Sequence, residues 1–159
     1  MKSTILIAAA IAAILPAAAQ AQTRFSEKVN GWTVAGEGGD CNASTVSGGR
    51  DLVMIHSPAS GGENQGGFTI TRVGAEVAEG ESATLTMSGN GGWSGEHPLR
   101  GYADPPSFWI AFADAGDADT LDDAWTASVS RGGKTVLTLS VTGFAAAREA
   151  MHRCVAQTR

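Results

Sequence analysis

The chain has 159 residues, 43% of them hydrophobic and 17% charged, with a formal net charge of −5. That length suits one domain with a real core. The acidic balance excludes the basic footprint that nucleic acid or an anionic membrane surface demands.

The chain begins with an export pattern. Lys2 is the sole charge before Arg24, and residues 5–19 are unbroken Ile, Leu and Ala with one proline, Pro16. Ala19-Gln20-Ala21 then supplies small residues at both positions a signal peptidase reads. The apolar run is too short and Ala-rich for a comfortable transmembrane span. The expectation is a signal peptide at 1–21 and a single β-rich domain at 22–159. It carries no integral membrane segment after cleavage, and the location is periplasmic or secreted.

Along the domain, paired glycines punctuate short strand-like stretches. Residues 31–35 place Trp32 and Val34 on one face, and 51–56 form an apolar run suited to a buried strand. Residues 68–73 alternate, with Phe68, Ile70 and Arg72 on one side. Residues 83–87 alternate likewise, and 108–112 are aromatic-rich. Residues 127–130 and 135–141 flank Arg131-Gly132-Gly133-Lys134, the clearest hairpin signal. Residues 89–106 read as the longest loop, and 121–125 as a helical turn capped by Thr120. Phe144, Ala147, Met151, Cys154 and Val155 make a helical stripe, with Thr142 as the predicted cap. The fold class is therefore mainly β: a small antiparallel sandwich or barrel with one C-terminal helix.

The two cysteines, Cys41 and Cys154, stand near opposite ends of the domain. In an oxidising compartment they pair in one intramolecular way, and neither has a His or Cys at zinc spacing. The helical stripe turns Cys154 toward the sheet. A Cys41–Cys154 disulfide docking the helix is the expectation.

Chemistry-bearing motifs are few. Gly92-Trp93-Ser94-Gly95 places its second glycine one position early for a nucleophile elbow, with Glu96 where that glycine belongs. No phosphate-binding glycine loop is present. Asp114, Asp117, Asp119, Asp122 and Asp123 offer hard oxygen ligands, but the spacing from Asp117 fails the EF-hand pattern. No metal site is assigned, with Asp114, Asp117 and Asp119 as the residues a loose calcium site would use. The plainer reading is a solvated acidic loop followed by a basic-faced helix. Trp93, Glu96 and Tyr102 are the most sugar-compatible grouping, because aromatic faces stack on sugar rings. The competing reading folds Trp93 back over a sheet edge.

Trp32-Thr33-Val34 followed by Cys41, and Leu139-Ser140-Val141-Thr142-Gly143-Phe144 leading into an Ala-rich helix, resemble the invasion-associated locus B proteins. The mid-chain cysteines of that family have no counterpart here. The resemblance implies a periplasmic β-sandwich tied to envelope function or host-cell interaction, without known catalysis.

Three functions remain open at this point. The first is a non-catalytic envelope domain binding a protein partner or a surface glycan. The second is a hydrolase of envelope polymers using Glu96 and an Asp from residues 114–123 as its acids. The third is a calcium-dependent adhesive module.

Overall fold

The computed structural model describes residues 23–57, 66–72, 76–89, 93–113 and 116–159, so the leader read at 1–21 lies outside the described residues. Among these, ten strands form: β1 Arg24–Val29, β2 Trp32–Glu37, β3 Asp40–Ser47, β4 Asp51–Ser57, β5 Gly67–Arg72, β6 Ser82–Ser88, β7 Gly95–Ala103, β8 Pro106–Ala111, β9 Trp125–Arg131 and β10 Lys134–Val141. Helix α1, Phe144–Thr158, follows. The strands make one antiparallel sheet in the order β1-β2-β3-β4-β5-β8-β7-β6-β9-β10. Mainly β, antiparallel, with one C-terminal helix, is the class the sequence predicts.

The period of two decides which face is buried. Val34, Ala43, Val53, Ile55, Ile70, Leu85, Val129 and Leu139 alternate inward and are almost fully buried. The predicted hairpin forms as written. Gly132 and Gly133 both adopt positive φ, 53° and 76°, the pair a two-residue turn matched to strand twist requires. One register shift lies between Thr135 and Leu137, so Val136 is an extra residue in β10.

The sheet curls until β10 meets β3. The Ser47 hydroxyl donates to the Ser140 carbonyl at 3.1 Å and accepts the Ser140 N–H at 3.0 Å. A side chain, not a strand ladder, bridges this seam. Between sandwich and barrel, the result is one continuous sheet curled onto itself.

Helix α1 lies on β1, β2 and β3. It buries Phe144, Ala147, Ala150, Met151, Cys154 and Thr158, close to the predicted stripe. The Trp32 ring sits 5.2 Å from Phe144, and its indole N–H donates to the Thr142 carbonyl at 2.9 Å. The Cys41–Cys154 disulfide pins the helix across a sequence separation of 113. Gly36 of β2 lies against that bridge. A Cβ there would fall 2.7 Å from both sulfurs, which is why a strand interior tolerates glycine at this point.

Four local expectations are corrected. Residues 89–106 are not one long loop, because β7 runs through them and pairs with β6 and β8. The short helical turn falls earlier, as a 3-10 turn at Asp117–Thr120, and Trp125 opens β9 instead. Strands β1 and β3 were not expected at all. Thr142 does not cap α1. Gly143 takes the N-cap position in a left-handed conformation, with no side-chain cap of its own. Asp123 supplies the cap from outside: its carbonyl accepts the Phe144 N–H at 3.1 Å and its carboxylate the Ala145 N–H at 2.9 Å. A carboxylate there also complements the positive end of the helix dipole.

Candidate binding surfaces

The three sugar-compatible residues do not converge. Trp93 is half-buried, with its ring 4.7 Å from His97 and 5.1 Å from Phe112 in an edge-on contact. It packs against the hydrophobic core. Glu96 and Tyr102 share the outer face of β7, but six residues of strand separate them by about 20 Å. The Tyr102 ring carries the Arg100 guanidinium 5.8 Å from its centre.

The acidic segment is tied to the helix. Asp119 accepts from His152 at 2.7 Å, and the Asp119 and Leu121 carbonyls accept from Arg148 at 3.1 and 2.7 Å. The Asp117 carboxylate accepts the Ala113 N–H at 2.8 Å. Asp114 lies outside the described residues. Among the described residues, no group of three or more His, Cys, Asp or Glu side chains is arranged to hold a metal ion. The three histidines each keep different company. His56 meets Thr69 at 3.3 Å and the edge of Trp109, and burial pushes its pKa below the usual value.

Two surfaces stand out once strand register is known. The first is the outer face of β6, β9 and β10. Ser88, Thr126 and Ser140 align across the three strands, as do Thr86, Ser128 and Thr138, and Thr84, Ser130 and Thr135. Nine hydroxyl-bearing side chains thus form a three-by-three array, spaced about 4.8 Å across strands. A shallow groove of about 330 Å³ runs over one side of it, lined by Thr84, Thr86, Ser130, Gly132, Gly133 and Glu96. Of the three predicted residues, only Glu96 joins this surface.

The second is a pocket of about 390 Å³ at one end of the curled sheet. Ile70, Val77, Pro106, Phe108, Val136 and Leu137 form its apolar lining, and Arg72, Glu76, Ser107 and Arg131 complete it. Two arginine forks frame it. Arg72 donates to both oxygens of Asp51, at 2.7 and 3.1 Å, and to the Val136 carbonyl at 2.7 Å. The β10 bulge brings that carbonyl into reach. Arg131 forks onto both oxygens of Glu81 and donates to the Glu76 carbonyl at 3.1 Å. The Ala78 N–H and then Arg131 hold the Glu81 carboxyl below the usual carboxylate range, so it stays ionised.

Sequence reasoning missed the arginine pair, although a signal for it exists. Asp51, Arg72 and Arg131 each extend the inward-facing alternation of an apolar strand by one more step. A charge in an inward register at a strand end marks the rim of the interior.

Together these features define a class: a disulfide-pinned antiparallel β domain with a hydroxyl-rich outer face and an apolar end pocket. No family model, no curated protein and no solved structure matches the chain.

Proposed function

We propose that the protein is an exported, non-catalytic domain of the periplasm or cell envelope that binds a surface glycan through the outer face of β6, β9 and β10. The observation that carries this reading is the hydroxyl array with Glu96 at its margin. A Ser or Thr hydroxyl donates one hydrogen bond and accepts others, and it rotates to suit its partner. A glycan offers the same mixed chemistry. Each bond contributes about 0.5–1.5 kcal/mol net, so useful affinity needs several at once. Side chains already ordered on a sheet lower the entropic cost of making them together.

Export is supported by the leader pattern at 1–21 and by the disulfide, which persists in oxidising compartments. The resemblance to the invasion-associated locus B proteins points to the same compartment. Binding is favoured over hydrolysis because Glu96 stands exposed in the groove with Ser and Thr side chains around it, and among the described residues no second acid lines that groove.

The test is co-sedimentation of the purified domain with insoluble polysaccharide prepared from the envelope of its host. The comparison is a variant carrying Thr84→Val, Thr86→Val, Ser128→Ala and Ser130→Ala. The Val substitutions keep shape and β propensity while removing the hydroxyl. Binding should fall at least about tenfold, the result of losing several bonds of this size. Equal sedimentation of variant and native protein would remove the array from the function. No sedimentation of the native protein would remove the glycan and leave the protein-partner alternative.

A further inference from the structure

We infer that the end pocket is a second binding site, one that takes an uncharged amphiphile with an apolar body and a carbonyl-type acceptor head. This stands apart from the glycan reading. The pocket opens on the inner side of the β9–β10 hairpin, whereas the hydroxyl array lies on its outer face.

Size and lining give the body of the ligand. A volume of about 390 Å³ falls in the lower part of the usual small-molecule range, roughly 300–1,000 Å³. The apolar side chains come from β5, β8, β10 and the segment carrying Val77, so the walls are rigid strands on three sides. That segment is itself fastened: Gly80 N–H donates to the Gly101 carbonyl at 2.9 Å, and Gly101 N–H returns a bond to the Glu81 carbonyl at 2.6 Å. Val136 stands at the lip, 37% exposed.

The arginines give the head. A guanidinium carries five N–H groups. Arg72 and Arg131 each commit three, two to a carboxylate and one to a main-chain carbonyl. Two N–H groups on each remain to meet an acceptor, and both side chains keep about a third of their surface open. The site therefore presents donors. It does not present net positive charge, because Asp51 and Glu81 neutralise the two forks and Glu76 adds a further carboxylate. Donors without net positive charge suit an amide, ester or ketone oxygen better than a carboxylate, which would find both guanidinium groups already neutralised and Glu76 in the lining.

The experiment is a two-dimensional NMR titration of the intact, disulfide-bonded domain with octanamide and, separately, octanoate. The two probes share a chain and differ in the charge of the head. Octanamide should shift the Val77, Phe108 and Leu137 amides saturably, with Kd about 1 mM, as suits about ten non-hydrogen atoms. Octanoate should bind at least about fivefold more weakly. Val136→Trp, which fills the lip from an exposed position, should abolish both titrations. Arg131→Lys, which keeps the charge and loses the planar fork, should weaken octanamide binding at least about threefold. The site is overturned by the absence of saturable shifts at these residues, or by titrations that ignore both variants. The assignment of an uncharged head is overturned if octanoate binds as tightly as octanamide or tighter.

Discussion

Reducing the Cys41–Cys154 bridge should cost the domain about 4.8 kcal/mol. The figure follows from the separation of 113 residues, because the bridge removes loop-closure entropy from the unfolded chain in proportion to the logarithm of that length. The perturbation leaves every packed atom in place. Cys41 is 3% exposed and Cys154 0%, so the freed thiols remain buried where the disulfide was. With a urea slope of about 2 kcal/mol/M, the midpoint should drop by about 2.4 M. The assay is urea denaturation with and without reductant, following far-ultraviolet circular dichroism for α1 and tryptophan fluorescence for the sheet. The Cys41→Ala/Cys154→Ala variant serves as a reductant-free control. A loss below about 1 kcal/mol with coincident transitions would refute the entropic reasoning. So would loss of the helical signal ahead of the sheet, because the bridge would then restrain only the docking of α1.

Two smaller perturbations test local readings. Asp123→Ala should lower stability by about 0.5–2 kcal/mol, the ordinary value of a helix cap, while Thr142→Ala should change urea stability far less. The reverse order would mean that α1 is capped by its own flank. His56 should make stability fall as pH falls. Its pKa is lowered by burial, so below the ordinary value of 6.5 the unfolded chain takes up the proton first. The loss runs from that pH down to the depressed folded value and then stops. His56→Gln should flatten this part of the stability profile, and an unchanged profile would exonerate the residue.

The parts of the fold that local chemistry dictates were legible. Gly132-Gly133 announces a tight hairpin, the Phe144 to Cys154 stripe announces an amphipathic helix, and two cysteines allow one pairing. Strands that obtain their burial from neighbours were not. In β1 and β3 the inward positions are filled by small or half-buried residues such as Phe25, Cys41 and Ala43, set among Ser, Asn, Lys and Glu. In β7 only Leu99 and Gly101 face the core fully, between Glu96, Pro98 and Arg100. Nothing there resembles apolar alternation, so the segment reads as loop until β6 and β8 are placed on either side. The binding surfaces were less legible still. Thr86, Ser128 and Thr138 are each unremarkable in their own strand, and only the cross-strand register makes them a row. Trp93 and Tyr102 drew attention by residue type. Their neighbours in space, Phe112 and Arg100, were not to be read from the sequence.

The packing of α1 onto β1, β2 and β3 has a temporal consequence. The helix is the final element in chain order, and the surface it covers belongs to the earliest strands. At about 5–20 residues per second, the 113 positions from Cys41 to Cys154 take about 6–23 s to synthesise. For about the first nine-tenths of that interval Trp32 has neither Phe144 beside it nor the Thr142 carbonyl to receive its indole proton. The nascent chain thus carries an apolar, unpaired sheet face from its first strands onward, and it becomes a finished domain only when its last turn of helix arrives.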